Sequence, residues 1–266
     1  MKDITLSNST METMTIVQGT LASEERLRWL SDQLAEHGAV SIAEAAKALG
    51  VSEMTIRRAL AELEERGTAR RVRGGARALG PRPFEDRRHT SVRAKAKIAG
   101  KLAELLPATG AVAFDASSTV MRVCASLTAA KDLTVLTNGP ETFAALQHQP
   151  GVSPLLTGGG LDTRTGSLVG PLACRGAAQL GLDLFFTSAA ALDPVLGALE
   201  TTLEEAEVKR SIAAGAEQVV LAVDAGKLGL RALAVGIEWD RVDVLVTDLE
   251  PSDQRLERYR NLARVL

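Results

Sequence analysis

The 266-residue chain predicts an α/β protein in two parts, a small helical front carrying a basic hairpin and a larger rear built on a mostly parallel sheet. Three observations predict it. The stretch from Ser41 to Ala76 holds two apolar stripes at helical spacing, broken by one glycine. From Ala111 onward, short apolar runs of strand length alternate with helical segments, the order a parallel sheet requires. Charge divides along the same line: residues 1–100 carry 17 Lys/Arg against 13 Asp/Glu, and residues 101–266 carry 14 against 20, within a net charge of −2.

Taken in order, residues 1–21 are polar, Met- and Thr-rich and without a period, and are expected to form a mobile tail. From Ala22, Leu27, Leu30 and Leu34 space a first helix, closed by His37 and Gly38. Ser41 with Glu44 forms a capping box, and Ile42, Ala45, Ala46 and Leu49 make the stripe of a second helix. Gly50 ends it in left-handed geometry, and Val51 plugs the angle to a third helix capped by Ser52. Ile56, Leu60 and Leu63 turn that helix inward, leaving Glu53, Thr55, Arg57 and Arg58 outside. After Gly67, Arg70, Arg71, Arg73 and Arg77 surround Gly74-Gly75 in a hairpin wing. Hydroxyl and guanidinium groups on the first turns of an exposed helix suit major-groove docking, with a basic wing for phosphates. Surface arginines on a helical hairpin also occur as a plain solvated face. The basic hairpin favours a winged helix-turn-helix, with Ser41, Ser52, Thr55, Arg57, Arg58, Arg71 and Arg73 as candidate DNA contacts.

These residues carry a family resemblance. Gly38-x-Val40-Ser41, Gly50-Val51-Ser52, Thr55-Ile56-Arg57-Arg58-x-Leu60, Gly67 and Arg73-Gly74-Gly75-Ala76 together resemble the DeoR (deoxyribose-regulator) family of bacterial transcription factors. Ala59 stands where that family usually has an acidic residue.

The winged unit is expected over 22–77, a linker over 78–97 and a third segment over 98–266. Pro81 and Pro83 stiffen the linker. The Phe84-Glu85-x-Arg87 stretch resembles the family's inter-domain segment. The charged run from Arg87 to Lys97 fits either DNA contact or a solvated helix face, ahead of a helix over 97–106. Strands are expected at 111–115, 133–137, 153–157, 182–189, 218–224 and 243–248, with helices at 119–127, 140–148, 171–180 and 203–215.

Ligands of such sheets sit beyond the C-terminal strand ends. There the chain places Asp115, Ser117, Ser118 and Thr119, then Thr137 and Asn138, then Gly158 and Gly159. Lys209, which can also pair with a glutamate one turn away, and Lys227 add positive charge. Each loop alone suits an ordinary turn; together they favour a phosphate-bearing small ligand, with Asn138 and the Gly158–Gly160 backbone toward its sugar hydroxyls. No Walker or Rossmann glycine pattern is present, which disfavours nucleotides. Cofactors, metal ligands and catalytic residues are expected to be none.

The resemblance extends over residues 22–250. Asp115–Thr119, with Ser117 in place of that family's glycine, Thr137-Asn138, Gly158-Gly159, Gly166-Ser167-Leu168-Val169-Gly170, Glu205-Ala206-Glu207-Val208-Lys209-Arg210 and Asp224-x-x-Lys227-x-Gly229 all have counterparts in that family. It implies a rear domain like that of sugar-phosphate isomerases, used for sensing, in a repressor of sugar or polyol catabolism released by a phosphorylated intermediate. Ser188-Ala189-Ala190-Ala191 and Gly197–Thr202 depart from the family pattern, Ala190 replacing an aspartate. Two alternatives stand beside the repressor: an isomerase-like enzyme with a DNA-binding appendage, and a DNA binder whose rear part only oligomerises. The expected partners are double-stranded operator DNA, a phosphorylated sugar or polyol, and a second copy of the chain in a dimer or tetramer.

Cys124 and Cys174 lie far apart and near no histidine cluster, so free thiols in a reducing compartment are expected. With no membrane-length apolar run and no signal pattern, the expected location is the cytoplasm.

Overall fold

A computed structural model describes residues 23–34, 37–65, 69–78 and 84–266. The expected tail, Gly67 and residues 79–83 lie outside the described residues. The chain divides into two compact units, Met1–Gly80 and Pro81–Leu266.

In the first unit, α1 (residues 23–34) presents Leu27, Leu30 and Leu34 to a core shared with α2 (Ile42–Leu49) and α3 (Glu53–Glu65). Ser41 Oγ accepts the Glu44 N–H at 3.4 Å, Gly50 takes φ 64°, and Ser52 Oγ accepts the Thr55 N–H at 3.2 Å. The wing is β2 (Ala69–Val72) and β3 (Gly75–Ala78), with β1 (Ala39–Ser41) antiparallel to β3. A Cβ on Gly75 would sit 2.0 Å from the Val40 carbonyl oxygen, so only glycine lets β1 pair there.

The second unit begins with α4 (Phe84–His89) and α5 (Val92–Ala103). The helix expected over 97–106 therefore starts earlier, because the stripe Lys95, Ile98, Ala99 and Leu102 already faces inward. Residues 84–97, expected as linker, pack into this unit.

Seven parallel strands follow, ordered β15-β14-β12-β9-β4-β5-β6: β4 (Thr109–Phe114), β5 (Asp132–Thr137), β6 (Val152–Leu156), β9 (Leu182–Thr187), β12 (Ala216–Ala222), β14 (Val244–Val246) and β15 (Arg264–Val265). All six expected strands are in this sheet. Alternate residues feed two cores. Val112, Phe114, Val220 and Ala222 pack beneath α5 and α6 (Pro140–Leu146), while Ala113, Val219 and Leu221 pack with α7 (Pro171–Ala178) and α8 (Leu203–Ala214). A β-hairpin, β7 (Gly160–Asp162) with β8 (Ser167–Val169), and a small antiparallel sheet, β10 (Ala191–Asp193), β11 (Gly197–Glu200) and β13 (Ala234–Ile237), complete the unit. Cys124 is a core thiol that burial pushes up to about 12, and Cys174 is partly buried; both are free. Among the described residues no helix is long and apolar enough to cross a membrane.

Candidate functional site

β4 and β9 are neighbours from which the chain runs in opposite directions, to β5 and β6 on one side and β12, β14 and β15 on the other. Such a switch point opens a crevice at the C-terminal strand ends. Asp115 and Ser188 follow these two strands, above the edge-to-face pair Phe114 and Phe186, whose ring centroids are 5.5 Å apart.

Asp115 is buried and saturated. Oδ1 accepts the Ser117 N–H at 3.0 Å, and Oδ2 accepts the Ser188 N–H at 2.8 Å and the Thr187 hydroxyl at 2.9 Å. Lys209 Nζ lies 3.0 Å from the same oxygen, donates to Glu200 Oε1 at 2.6 Å and to the Ser188 carbonyl at 2.7 Å. Its three N–H groups are thus spent. Burial pulls the Asp115 pKa upward, but Lys209 and the hydrogen bonds outweigh it and hold the carboxyl below its ordinary value. Burial pulls Lys209 down, and Glu200 and Asp115 carry it above the usual lysine value. Burial raises Glu200. The expectations for Lys209 are corrected here. It does not pair with a glutamate one turn away, since Glu205 Oε1 instead accepts the Ser167 hydroxyl. No N–H remains for an anion, because the inward face of α8 aims Lys209 at β4 and β11.

Around Ser118 the chemistry is opposite. Lys95, from α5, is buried and donates to Ser118 Oγ at 3.1 Å and to the Arg87 carbonyl. Among the described residues it has no carboxylate within ion-pair distance. Burial brings its pKa down to about 7, with Lys227, Arg122 and Arg87 adding to the effect and Asp224 opposing it. Lys227 Nζ donates to the Ala189 carbonyl at 2.6 Å and Ser188 Oγ at 3.3 Å, with Asp224 4.0 Å away. Burial lowers its pKa too, against the pull of Asp224 and Glu200. Ser117 Oγ accepts the Val120 N–H at 3.1 Å, and Thr119 is buried beside it.

Other expectations are redrawn. Residues 119–127 do not form an α-helix; Val120–Ser126 is a seven-residue 3₁₀ turn. The positive field here therefore comes from lysines rather than a helix terminus. Asn138 is engaged within the fold: Oδ1 accepts the Ala116 N–H at 3.0 Å and Nδ2 donates to the Leu168 carbonyl at 3.3 Å, stapling two loops. Thr137 Oγ1 accepts the Gly139 N–H within its own turn. Gly159 (φ 110°) is required by the Val169 carbonyl, 2.6 Å from where a Cβ would stand. Gly158 has open space around it at φ 74°. The sequence reading missed Lys95 and Ser188. The signal for Lys95 was a lysine three and seven residues before Ile98 and Leu102, an apolar-stripe position.

In the first unit, Arg58 and Arg73 are exposed. Arg57 lies 3.4 Å from Glu53, and Arg71 gives both its N–H and its guanidinium to Glu64. Those contacts, the backbone N–H first, hold the Glu64 carboxyl below its ordinary value. Thr55 Oγ1 shares a 2.9 Å hydrogen bond with Ser52 Oγ.

Comparison with known proteins agrees with both units. Residues 26–82 match the DeoR-like helix-turn-helix domain, and residues 90–249 match the DeoR C terminal sensor domain. The HTH-type transcriptional regulator GolR of Listeria innocua is 31% identical over 228 residues, covering 84% of this chain and 90% of that protein. The glycerol-3-phosphate regulon repressor of Escherichia coli is 29% identical, over 85% of this chain and 91% of its own. A ribose 5-phosphate isomerase from Plasmodium falciparum aligns with 50% of this chain and 51% of its own at 12% identity and a TM-score of 0.36, a level that carries no functional argument. The chain belongs to the DeoR family of helix-turn-helix transcriptional regulators.

Proposed function

We propose that the protein represses genes of sugar or polyol catabolism and is released from operator DNA by a phosphorylated metabolite. The observation that supports this most is Lys95, a buried lysine bonded to the Ser118 hydroxyl and, among the described residues, without a carboxylate within ion-pair distance. A buried unpaired charge is costly, and a phosphate would relieve it. Lys95, Lys227, Ser117 and Ser118 supply the phosphate end. Glycerol-3-phosphate in the name of the Escherichia coli relative points to the same ligand chemistry. The isomerase alternative needs a free carboxylate base. Asp115 and Glu200 are bound to Lys209, Glu205 is hydrogen-bonded to Ser167, and Ala190 offers none.

A thermal-shift screen of sugars, polyols and their phosphates tests the reading. A ligand at a hundred times its dissociation constant adds ~2.7 kcal/mol, a rise of roughly 5–11 °C at about 2–4 °C per kcal/mol. Hits are expected only among phosphates, the same hits should release promoter DNA, and Lys95→Met should lose both responses. A screen in which no phosphate ester moves the melt would overturn the reading.

The protein acts as at least a dimer held by its sensor unit, because one winged helix reads few base pairs and paired half-sites follow from two-fold symmetry. Val195 is 77% exposed and Leu233 75% exposed, apolar surface that fits such pairing. Light scattering should show a dimer or larger for the full chain and a smaller species for Val195→Asp/Leu233→Asp. A monomeric parent at micromolar concentration would refute it.

A further inference from the structure

Two of the groups assigned to the phosphate, Lys95 and Ser118, are already occupied by the chain itself. Lys95 Nζ and Ser118 Oγ both donate to the carbonyl of Arg87, the latter at 3.1 Å, and Arg122 donates to the carbonyl of Arg88 at 3.1 Å. Both carbonyls belong to α4. Its other anchors are apolar or lateral. Phe84 is buried against Gly166, its Cβ 3.0 Å from where a Cβ on that glycine would stand. The Arg87 guanidinium lies 5.4 Å over the Phe84 ring and donates to the Thr165 carbonyl. α4 is also the first described element after residues 79–83, which join the two units in sequence.

A carbonyl is a weak partner for a buried ammonium, and a phosphate oxygen is a stronger one because charge-assisted hydrogen bonds are roughly twice as strong. We propose that α4 is a strap competing with the effector's anionic group for Lys95 and Ser118, so that effector binding undocks α4 from the sensor unit. This rests on the anion site proposed above and adds how its occupancy leaves the unit. The loosened element is the one from which the chain continues toward the DNA-binding unit. A two-state strap of this kind gives the ligand differential affinity, without which it could shift nothing. Coupling is reciprocal: the factor by which the anion loosens α4 equals the factor by which loosening α4 tightens the anion.

Hydrogen exchange on the full-length protein, with and without inorganic phosphate, tests the strap. Amides of 115–121 should gain protection while those of 84–91 lose it. Protection at 115–121 with 84–91 unchanged or slower would keep the anion site and overturn the strap. No response in either segment, to phosphate or to the screened esters, would overturn both. Phe84→Ala removes an anchor that touches neither Lys95 nor Ser118. It should tighten inorganic phosphate by about two- to tenfold, the worth of one ordinary hydrogen bond of competition, with Phe84→Leu in between. A purely structural role predicts weaker or unaltered binding, and that result counts against the strap. If Phe84→Ala fails to fold, the exchange pattern of the unsubstituted protein decides alone.

Discussion

Lys209 and Lys95 are both 4% exposed, yet they belong to different kinds of place. Lys209 has two carboxylates and a carbonyl around it, and its pKa is raised. Lys95 has a hydroxyl, a carbonyl and three neighbouring cations, and its pKa falls to about 7. Burial is common to both, so burial does not separate a lysine paired within the fold from one proposed to meet a ligand. The charge of the neighbours does. The Lys209 cluster closes the switch point between β4 and β9 as a finished piece of architecture. Among the described residues, the Lys95 cluster sets Lys95, Lys227, Arg122 and Arg87 against the one carboxylate of Asp224.

The comparison breaks most readily on stability. Lys209→Met leaves Asp115 and Glu200 buried without their cation, and removing one partner of a buried pair costs about 3–5 kcal/mol. At about 2–4 °C per kcal/mol the melting temperature should drop by roughly 6–20 °C. Lys95→Met removes a desolvated, unpaired cation at similar volume, and the melt should hold or rise. Equal losses in the two variants would show that Lys95 is as structural as Lys209.

The pH dependence of effector binding sharpens the same contrast. The folded-state pKa of Lys95 lies far below its ordinary value of 10.5, the reverse of a lysine gaining a partner. A phosphate selects the protonated form, so its affinity is fully present below about 7 and is lost as pH rises, until the raised pKa of the bound state is passed. The groups facing Lys95 are Lys227, Arg122 and Arg87, which depress it, and Asp224, which opposes them. Phosphate esters are already dianionic above their second pKa of about 6, so the fall above pH 7 reports the lysine side. Affinity measured by calorimetry between pH 7 and 9 should drop by up to about tenfold per unit. Lys95→Met should be weak and much flatter. An unsubstituted protein with a flat profile would place the phosphate away from Lys95.

The same distinction explains what the sequence could disclose. Five of the six expected strands were legible as runs such as Leu133–Thr137 or Val219–Ala222, buried by the sheet's position whatever the details of pairing. The sixth, β6 at the sheet edge, was legible as a short apolar run although Leu155 and Leu156 are exposed. The motifs at their ends were legible as a location, the switch point, and their chemistry was not. Asn138, Thr137 and Asp115 carry the residue types of a ligand site, and the fold spends their hydrogen bonds on its own loops. Lys95 was hidden in a charge run: Arg93 and Lys97 are exposed on either side of it, and only the register of α5 turns it inward. The strands β10, β11 and β13 were illegible for another reason. They are three or four residues long, rich in Ala and Gly, and set by long-range pairings such as Ala198 with Ile237. The seven residues after Thr119 carry a helical pattern, and the structure tightens them to 3₁₀.

The smallest effect extends the paired-versus-unpaired test to the DNA-binding unit. Arg58 and Arg73 are exposed, whereas Arg57 shares its charge with Glu53 and Arg71 with Glu64. Exposed ion pairs of this kind are worth ~0–1 kcal/mol, so they reduce what Arg57 and Arg71 bring to DNA without removing it. Arg58→Ala should cost promoter binding about 1–3 kcal/mol if its fork reads a guanine edge, with the loss confined to certain operator positions. Arg73→Ala should weaken binding evenly across sequences and reduce the salt dependence by about one phosphate contact. Arg57→Ala and Arg71→Ala should cost less, each having to surrender its glutamate before engaging DNA. Fluorescence anisotropy over a salt series, with far-UV dichroism to confirm that the helices persist, ranks the four variants. A ranking in which Arg57 and Arg71 matter more than Arg58 and Arg73 would mean that Glu53 and Glu64 orient these arginines toward DNA, and pairing would then mark the functional side chains here rather than the structural ones.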